Sequence, residues 1–399
     1  NGLMTLVDTW DRDHQPNLAA ELQQAGYETA IIGKWHLHSE PIGFDYYKVL
    51  PGQGLYFNPL LKEKGKPRKD HNEGGEPYEG HSSDVIGNET LKWLKEQRDD
   101  DKPFFLMCHF KAPHGIWENA PRFNDLYADD EIPEPHSLFE DKSDRSDGSR
   151  NYGSTLGPTN QIRNRVARMQ NDFWPGGPLD ITGMTKKEQT RAAYQRYLKD
   201  YLRCVAGVDE NVGRVLAYLK SEGLEDDTLI IYTGDQGFWL GENDYQDKRW
   251  AYDPSMRMPL IVRYPKVTQA GIRSDAIIEN VDFPALMLDF ARIPTPTSIQ
   301  GRAFRSICET GREPKGWKQA AYYRYWMHMA HHDNPAVMAI RTKTHKLLYY
   351  YGCNYDGGYQ TPPAWELYDL QKDAGELNNV YDTPAYAEVR ASLKQQLVD

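Results

Sequence analysis

Short apolar runs, too brief for helices, alternate along this chain with stretches whose apolar residues recur at helical spacing. Several of the runs end in polar, glycine-flanked segments. Thr228-Leu-Ile-Ile-Tyr-Thr233 is the clearest case, a β-branched run bounded by Gly234 that predicts a buried strand. Asp235 and Gln236 follow at once, set between two glycines, Gly234 and Gly237, that allow sharp backbone turns. The same grammar occurs twice earlier. Leu18, Leu22 and Ala25 share one helical face, Gly26 stops the helix, and Thr29-Ala-Ile-Ile32 predicts a strand opening into Gly33-Lys-Trp-His-Leu37. Ile86, Leu91 and Leu94 mark a second helix, and Phe104-Phe-Leu-Met-Cys-His-Phe110 a strand running into Lys111-Ala-Pro-His114.

The remaining pattern fills in a larger architecture. Residues 43–59 are dense in Pro, Gly and Asn and read as a loop, whose aromatic residues suit either a sugar platform or a packed flap. Residues 118–184 are poor in aliphatics and rich in Asp, Ser, Gly and Pro, a long loop that follows directly on His114 and suits one wall of a cleft. Thr185-Lys-Lys-Glu188 is a capping box for one long or kinked helix reaching Gly223. Pro259 to Tyr264 predicts another buried strand, and Asp282 an N-cap. Beyond a boundary rich in Pro, Gly and charge, runs at 320–326, 336–341 and 346–351 predict short strands, with a final helix from Tyr386. The expectation is an α/β fold, a large mixed sheet sandwiched by helices over residues 1–315, with a smaller C-terminal antiparallel α+β subdomain over 316–399.

Composition narrows the function. A 399-residue chain that is 39% hydrophobic holds more core than one ordinary domain needs. The formal charge of −11 argues against a surface for nucleic acid, so an anionic ligand has to be met by a local basic pocket. Cys108, Cys204, Cys308 and Cys353 have no Cys-x-x-Cys spacing and read as free thiols. No run has the length of a membrane span.

In open α/β sheets ligands collect beyond the carboxyl ends of strands. Three predicted strands end there in Lys34 and His36, in Lys111 and His114, and in Asp235 and Gln236. Cations and imidazoles on one edge make an anion-handling site. Asp235 and Gln236 offer hard oxygens, which suit Ca²⁺ or Mg²⁺. Where the ester of an oxyanion has a poor alkoxide leaving group, cleavage needs cations on the non-bridging oxygens and a proton donor at the bridging one. Lys34 and Lys248 suit the first task and His114 the second. His328, His331 and His332 are either surface residues or reach the cleft.

The segments 33–37, 112–114 and Gly234-Asp-Gln-Gly-Phe-Trp-Leu-Gly-Glu242, with Asp247-Lys-Arg249, Ser255 to Pro265 and Glu366 to Asp373, resemble type I sulfatases of the alkaline phosphatase superfamily, in the family's order and through nearly the whole chain. The resemblance implies that Lys34 and Lys248 hold sulfate, that His36 bonds a formylglycine nucleophile, that His114 protonates the leaving group, and that Asp235 and Gln236 are part of a Ca²⁺ site, with Mg²⁺ second. His38, Lys111, Arg249 and the three histidines at 328, 331 and 332 would then touch substrate, a sulfated carbohydrate of the polysaccharide or glycosaminoglycan kind. A secreted or periplasmic location comes with the resemblance.

Such enzymes place two further Asp ligands and a Cys/Ser-x-Pro/Ala-x-Arg nucleophile segment, together with a first strand, ahead of the equivalent of Leu18. Here Cys308-Glu-Thr-Gly-Arg312 comes nearest and has the wrong middle residue. The expectation is therefore that these 399 residues are the downstream part of a longer sulfatase, inactive alone, with the nucleophile upstream or on a separate piece. The rival readings are a phosphodiesterase or phosphonate hydrolase of the same superfamily and a non-catalytic binder of sulfated glycans.

Overall fold

Thr29 to Gly33 are all buried, the signature of a strand covered on both faces, and they belong to a strand with a parallel neighbour on each side. The computed structural model describes residues 15–66, 74–160, 163–354, 357–358 and 360–398; residues 1–14, on which the expectation of an absent first strand turns, lie outside them. β1 (Glu28–Lys34), β2 (Tyr46–Leu50), β3 (Leu60–Glu63), β4 (Glu76–Pro77) and β5 (Phe104–His109) form a five-stranded sheet in the order β4-β3-β2-β1-β5. β1 runs parallel to both β2 and β5, whereas β2, β3 and β4 pair antiparallel, so the sheet is mixed.

Alternation along β1 sends Ala30 and Ile32 to one face and Ile31 to the other. On the first face they pack with Val85 and Ile86 of the helix Ser82–Lys92 and with Val215 and Tyr218 of the helix Lys186–Ser221. On the second face Ile31 packs with Ala19 of the helix Leu18–Gln24 and with Phe44, Tyr47 and Val49. Helices thus cover both faces. The long helix starts on the anticipated capping box, with Thr185 Oγ1 accepting from the Glu188 amide and Glu188 Oε2 accepting from the Thr185 amide.

Three local expectations fail. The strands Ile230–Thr233 and Leu260–Arg263 are partly exposed rather than buried, with Ile261 61% exposed. Tyr46–Leu50 is a strand rather than loop; Lys48 disguises it, because a buried lysine breaks the apolar pattern, and its amine is satisfied inside by Glu89 and Tyr78. Asp282 is not an N-cap. It is the first residue of its helix, and its carboxylate accepts from the amides of Glu279 and Arg302 and from Lys318.

After the long helix, β6 (Ile230–Thr233) pairs antiparallel with β9 (Leu260–Arg263), and between them β7 (Trp239–Leu240) pairs with β8 (Gln246–Asp247). The C-terminal sheet is an antiparallel meander of β10 (Ala320–Tyr325), β11 (Val337–Thr342), β12 (His345–Tyr350) and β13 (Ala364–Asp369), covered by the helix Ala387–Val398. No helix among the described residues is long and apolar enough to cross a membrane, and all four cysteines are free thiols.

A buried ionic network fastens this sheet to the rest. The amine of Lys346 on β12, fully buried, lies 2.6 Å from Asp253 and 2.7 Å from Glu376. Burial pushes the Asp253 carboxyl up, but Lys346 and Arg341 outweigh it and hold it down at about 2. Glu376 moves the other way, raised by burial and by Asp253 despite Lys346. Removing the shared cation leaves two buried carboxyls facing each other. Lys346→Ala is expected to cost about 3–5 kcal/mol of stability, the usual effect of stripping one partner from a buried pair, read by denaturant unfolding. A loss below about 1 kcal/mol would mean that the network contributes little.

Candidate active site

Gly33 sets the first part of the site. Its φ of +112° is open to glycine, and a Cβ there would sit 1.8 Å from the carbonyl oxygen of His109. The ends of β1 and β5 can therefore close on each other, and His109 Nδ1 lies 3.2 Å from the Lys34 carbonyl oxygen. Lys34 ends β1, and Lys111 and His114 follow β5. Gln53 joins the two: its side-chain oxygen accepts from Lys34 Nζ at 2.9 Å and its backbone oxygen from Lys111 Nζ at 3.2 Å.

Lys248 comes from a different part of the chain, just after β8, and Gln236 ties it in by donating from Nε2 to the Lys248 carbonyl at 2.6 Å. Electrostatics report the convergence. Burial first, then Lys111 and Lys248, pull the Lys34 amine down to about 8, with Asp235 acting against them. Burial, Lys34, His38 and Lys248 lower His36, whose ring lies 5.6 Å from that of His38. Burial, Lys34 and Lys248 bring His114 down to about 3. Lys34, His36, His38, Lys111, His114, Lys248 and Asp235 thus belong to one neighbourhood of excess positive charge.

The hydrogen bonding of His114 defines its proton. Nδ1 lies 2.9 Å from the Gly115 carbonyl, an acceptor only, so Nδ1 carries the hydrogen and neutral His114 presents a bare Nε2. Tyr56 fixes the same turn from behind by donating to the His114 carbonyl at 2.7 Å.

A second group adjoins Lys248. Asp247, at φ +73°, pairs with Arg249 and lies 3.6 Å from His332 Nε2. Burial pushes Asp247 up, but Arg249, His332 and Lys248 together hold it below the usual carboxylate range. His332 is brought to about 3, mainly by burial, and its Nδ1 meets Ser154 Oγ at 3.3 Å. His331 is lowered by burial and by Arg249, which puts it beside the same group. His328 has a different place: it is 2% exposed and accepts from the Ala336 amide through Nδ1, a bond that shapes its turn.

Asp235 and Gln236 follow β6 as expected. With Nε2 of Gln236 committed to Lys248, its carbonyl oxygen is the end left to face a cation beside the Asp235 carboxylate. The donors suit a hard cation in type, but they are two where Ca²⁺ takes about six to eight oxygens. Among the described residues no group of three or more His, Cys, Asp or Glu could hold a metal.

Residues 3–293 match the family described as Sulfatase, and residues 241–399 match one described as N-sulphoglucosamine sulphohydrolase, C-terminal. The chain belongs to the sulfatase family. An N-acetylglucosamine-6-O-sulfatase of Bacteroides thetaiotaomicron is 37% identical over 432 residues, spanning 100% of this chain and 74% of that protein. An arylsulfatase of Clostridium perfringens is 23% identical over 422 residues, covering 97% and 78%. A solved structure of a protein in complex with its substrate D-glucosamine-2-N,6-O-disulfate superposes with a TM-score of 0.87 at 35% identity, over 100% of this chain and 84% of that one. The fold alone is shared with a phosphonate monoester hydrolase of Agrobacterium radiobacter, TM-score 0.70 at 20% identity over 99% and 82%.

Sequence reasoning missed Gln53, Asp247 as a site carboxylate, and Arg165. Gln53 lies in the Pro-Gly-Gln-Gly loop, where density of glycine was the available signal. Asp247 read only as part of the Asp247-Lys-Arg249 segment, and it pairs with Arg249. Arg165 sits in a stretch with no motif; it is buried, and its guanidinium lies 5.2 Å from the Trp117 ring.

If Lys34 grips an anion, sulfate affinity follows its charge. The amine is charged below its pKa of about 8 and neutral above it, so inorganic sulfate should bind more weakly as pH rises through 8. Lys34→Met should lower affinity roughly tenfold at neutral pH and flatten that decline. Calorimetric titration across the range checks both, and an affinity that does not change with the substitution rules Lys34 out.

Proposed function

We propose that this sulfatase-family chain serves the hydrolysis of a sulfate ester on a sulfated amino sugar, the 6-O-sulfated glucosamine unit of a glycosaminoglycan-type glycan. The observation that carries the reading is the convergence of Lys34, Lys111 and Lys248 around His114 with no carboxylate paired to any of the three amines among the described residues. A site that gathers unneutralised cations is built for an anion. The 37% identical N-acetylglucosamine-6-O-sulfatase supports the choice of sugar.

In this reading Lys34 and Lys248 take the non-bridging sulfate oxygens. Before substrate arrives, burial first and then those same cations hold His114 well below the usual imidazole range. A bound sulfate offsets their repulsion, so Nε2 can hold a proton and pass it to the bridging oxygen as the sugar alkoxide leaves. His114 is thus an acid that substrate itself arms. His36 faces the attacking side, next to Lys34. A formylglycine, the nucleophile the family resemblance implies, would supply the attacking oxygen. Asp235 and Gln236 would hold Ca²⁺ together with ligands from beyond the described residues, adding positive charge at the sulfate. Asp247, Arg249 and His332 form a paired polar rim suited to sugar hydroxyls, since a carboxylate accepts from two hydroxyls while the guanidinium donates. A secreted or periplasmic location belongs to the same proposal, because long glycans are met outside the cytoplasm.

Turnover of the full-length protein on 6-sulfated N-acetylglucosamine, an activated aryl sulfate and an aryl phosphonate tests this reading. The sugar ester should be hydrolysed and the phosphonate hardly at all; the reverse order would sink the proposal. His114→Ala should slow the sugar ester by about 10²–10⁴-fold but the aryl sulfate far less, because a phenolate leaves without a proton. Equal losses on both would remove His114 from the role of acid.

A further inference from the structure

The segment from Gly153 to Met169 carries arginines at 163, 165 and 168, and none has a carboxylate within ion-pair distance among the described residues. Arg165 is buried in an aromatic cage, 5.2, 5.4 and 5.5 Å from the rings of Trp117, Trp174 and Tyr197, and its Nε has no hydrogen-bond partner. Burial brings it down to about 10, and Arg168 acts in the same direction. Arg168 is itself lowered by burial and by Arg163, so the side chains gather like charges where separation would cost less.

Hydrogen bonds fix where this charge falls. The Arg163 amide donates to Asn160 Oδ1 at 3.1 Å, and its carbonyl accepts from the Thr155 amide at 3.1 Å. Asn160 Nδ2 donates to Asp333 Oδ2 at 2.9 Å, the Gly153 amide donates to the Asp333 carbonyl at 2.8 Å, and Ser154 Oγ donates to the His332 carbonyl at 3.1 Å. The arginine segment is therefore clamped onto the turn that carries His331 and His332, next to Asp247 and Arg249. Arg163 acts on both histidines, and Arg163 and Arg168 are exposed. Asp333, the acidic neighbour, is engaged by Asn160.

Charge of one sign held together beside Asp247 and Arg249, with Asp333 acting on Arg163 but not within ion-pair distance of it, calls for an anion from solution. We propose that Arg163, beside His331, and Arg168, next to Arg163, form a second anion subsite at the rim of the site, one that takes a further oxyanion of the same glycan. This rests on the sulfated-glycan reading and adds to it a preference for substrates with two negative groups. The oxyanion has two possible sources, a second sulfate on the same sugar or the carboxylate of an adjoining uronic acid. Both are planar or tetrahedral oxygen clusters that guanidinium groups bind well.

The test is kcat and KM of the full-length protein on three probes: 6-sulfated glucosamine, glucosamine sulfated at both the 6-oxygen and the 2-nitrogen, and 6-sulfated glucosamine joined to a uronic acid. Wild type should show a lower KM for at least one doubly anionic probe than for the monosulfate. Arg163→Gln and Arg168→Gln should each cut that preference in kcat/KM by about tenfold, with the loss in KM, and the probe that loses identifies the source. Arg312→Gln, at an exposed position in another part of the chain, serves as the control for bulk charge and should keep the preference. No preference in wild type, a preference untouched by both substitutions, or an equal loss in Arg312→Gln would overturn the subsite. If wild type hydrolyses none of the probes, the sulfated-glucosamine reading falls and the subsite with it; turnover of the monosulfate alone overturns only the subsite.

Discussion

The close approach of two backbones at Gly33 is the constraint on which the site depends. A side chain there would collide with the His109 carbonyl, and the positive φ would strain any other residue. Because glycine occupies the position, β1 and β5 stay in register to their last residues, and the segments that leave them start from one point. Lys34 departs from one strand and Lys111 and His114 from the other, and Gln53 then holds both lysines without neutralising either. A carboxylate in place of Gln53 would pair with the amines and fill the pocket with its own charge. A neutral amide positions them and leaves their field for a ligand.

Burial and that field together set the imidazoles' state. Burial first, and then Lys34 and Lys248, lower both His36 and His114, so neither competes with the lysines for an incoming anion in the free protein. If His114 is the acid, a pocket that keeps it unprotonated until a ligand arrives couples proton transfer to correct binding. Asp235 is the opposing charge, and its placement between Lys34 and Gln236 restricts how far the lysine amine is depressed.

Much of this was legible from the chain alone, for a physical reason. The buried strand holding Ile31 and the half-buried ones holding Leu106 and Ile231 are continuous apolar runs, and polar residues stranded at their ends stand out. The capping box at Thr185 is a local signal that tertiary contacts had no cause to override. What escaped notice depends on partners distant in sequence. Lys48 looks like a surface residue until Glu89 is placed beside it, and Asp282 looks like a cap until Lys318 and Arg302 arrive from the other side of a loop. Arg165 is the extreme case: a buried arginine without a carboxylate makes sense only once three aromatic rings from separate elements surround it.

The C-terminal sheet is more than a support for the cleft. Asp253 begins the short helix that follows Lys248 and Arg249, and Lys346 on β12 and Arg341 on β11 both hold it. Tyr323 on β10 donates to the Arg249 carbonyl at 3.0 Å, and His332, from the turn between β10 and β11, meets Asp247. The segment that brings Lys248 to the cationic pocket is therefore positioned by the sheet whose turn carries His331 and His332. On the proposed reading, cleavage and recognition are mechanically joined at that segment. On the proposed reading, a shift of the sheet large enough to change which glycan is accepted would also move the lysine proposed to hold its sulfate, so changes in specificity are accommodated more readily on the loops around Arg163 and at 328–333 than by re-docking the sheet.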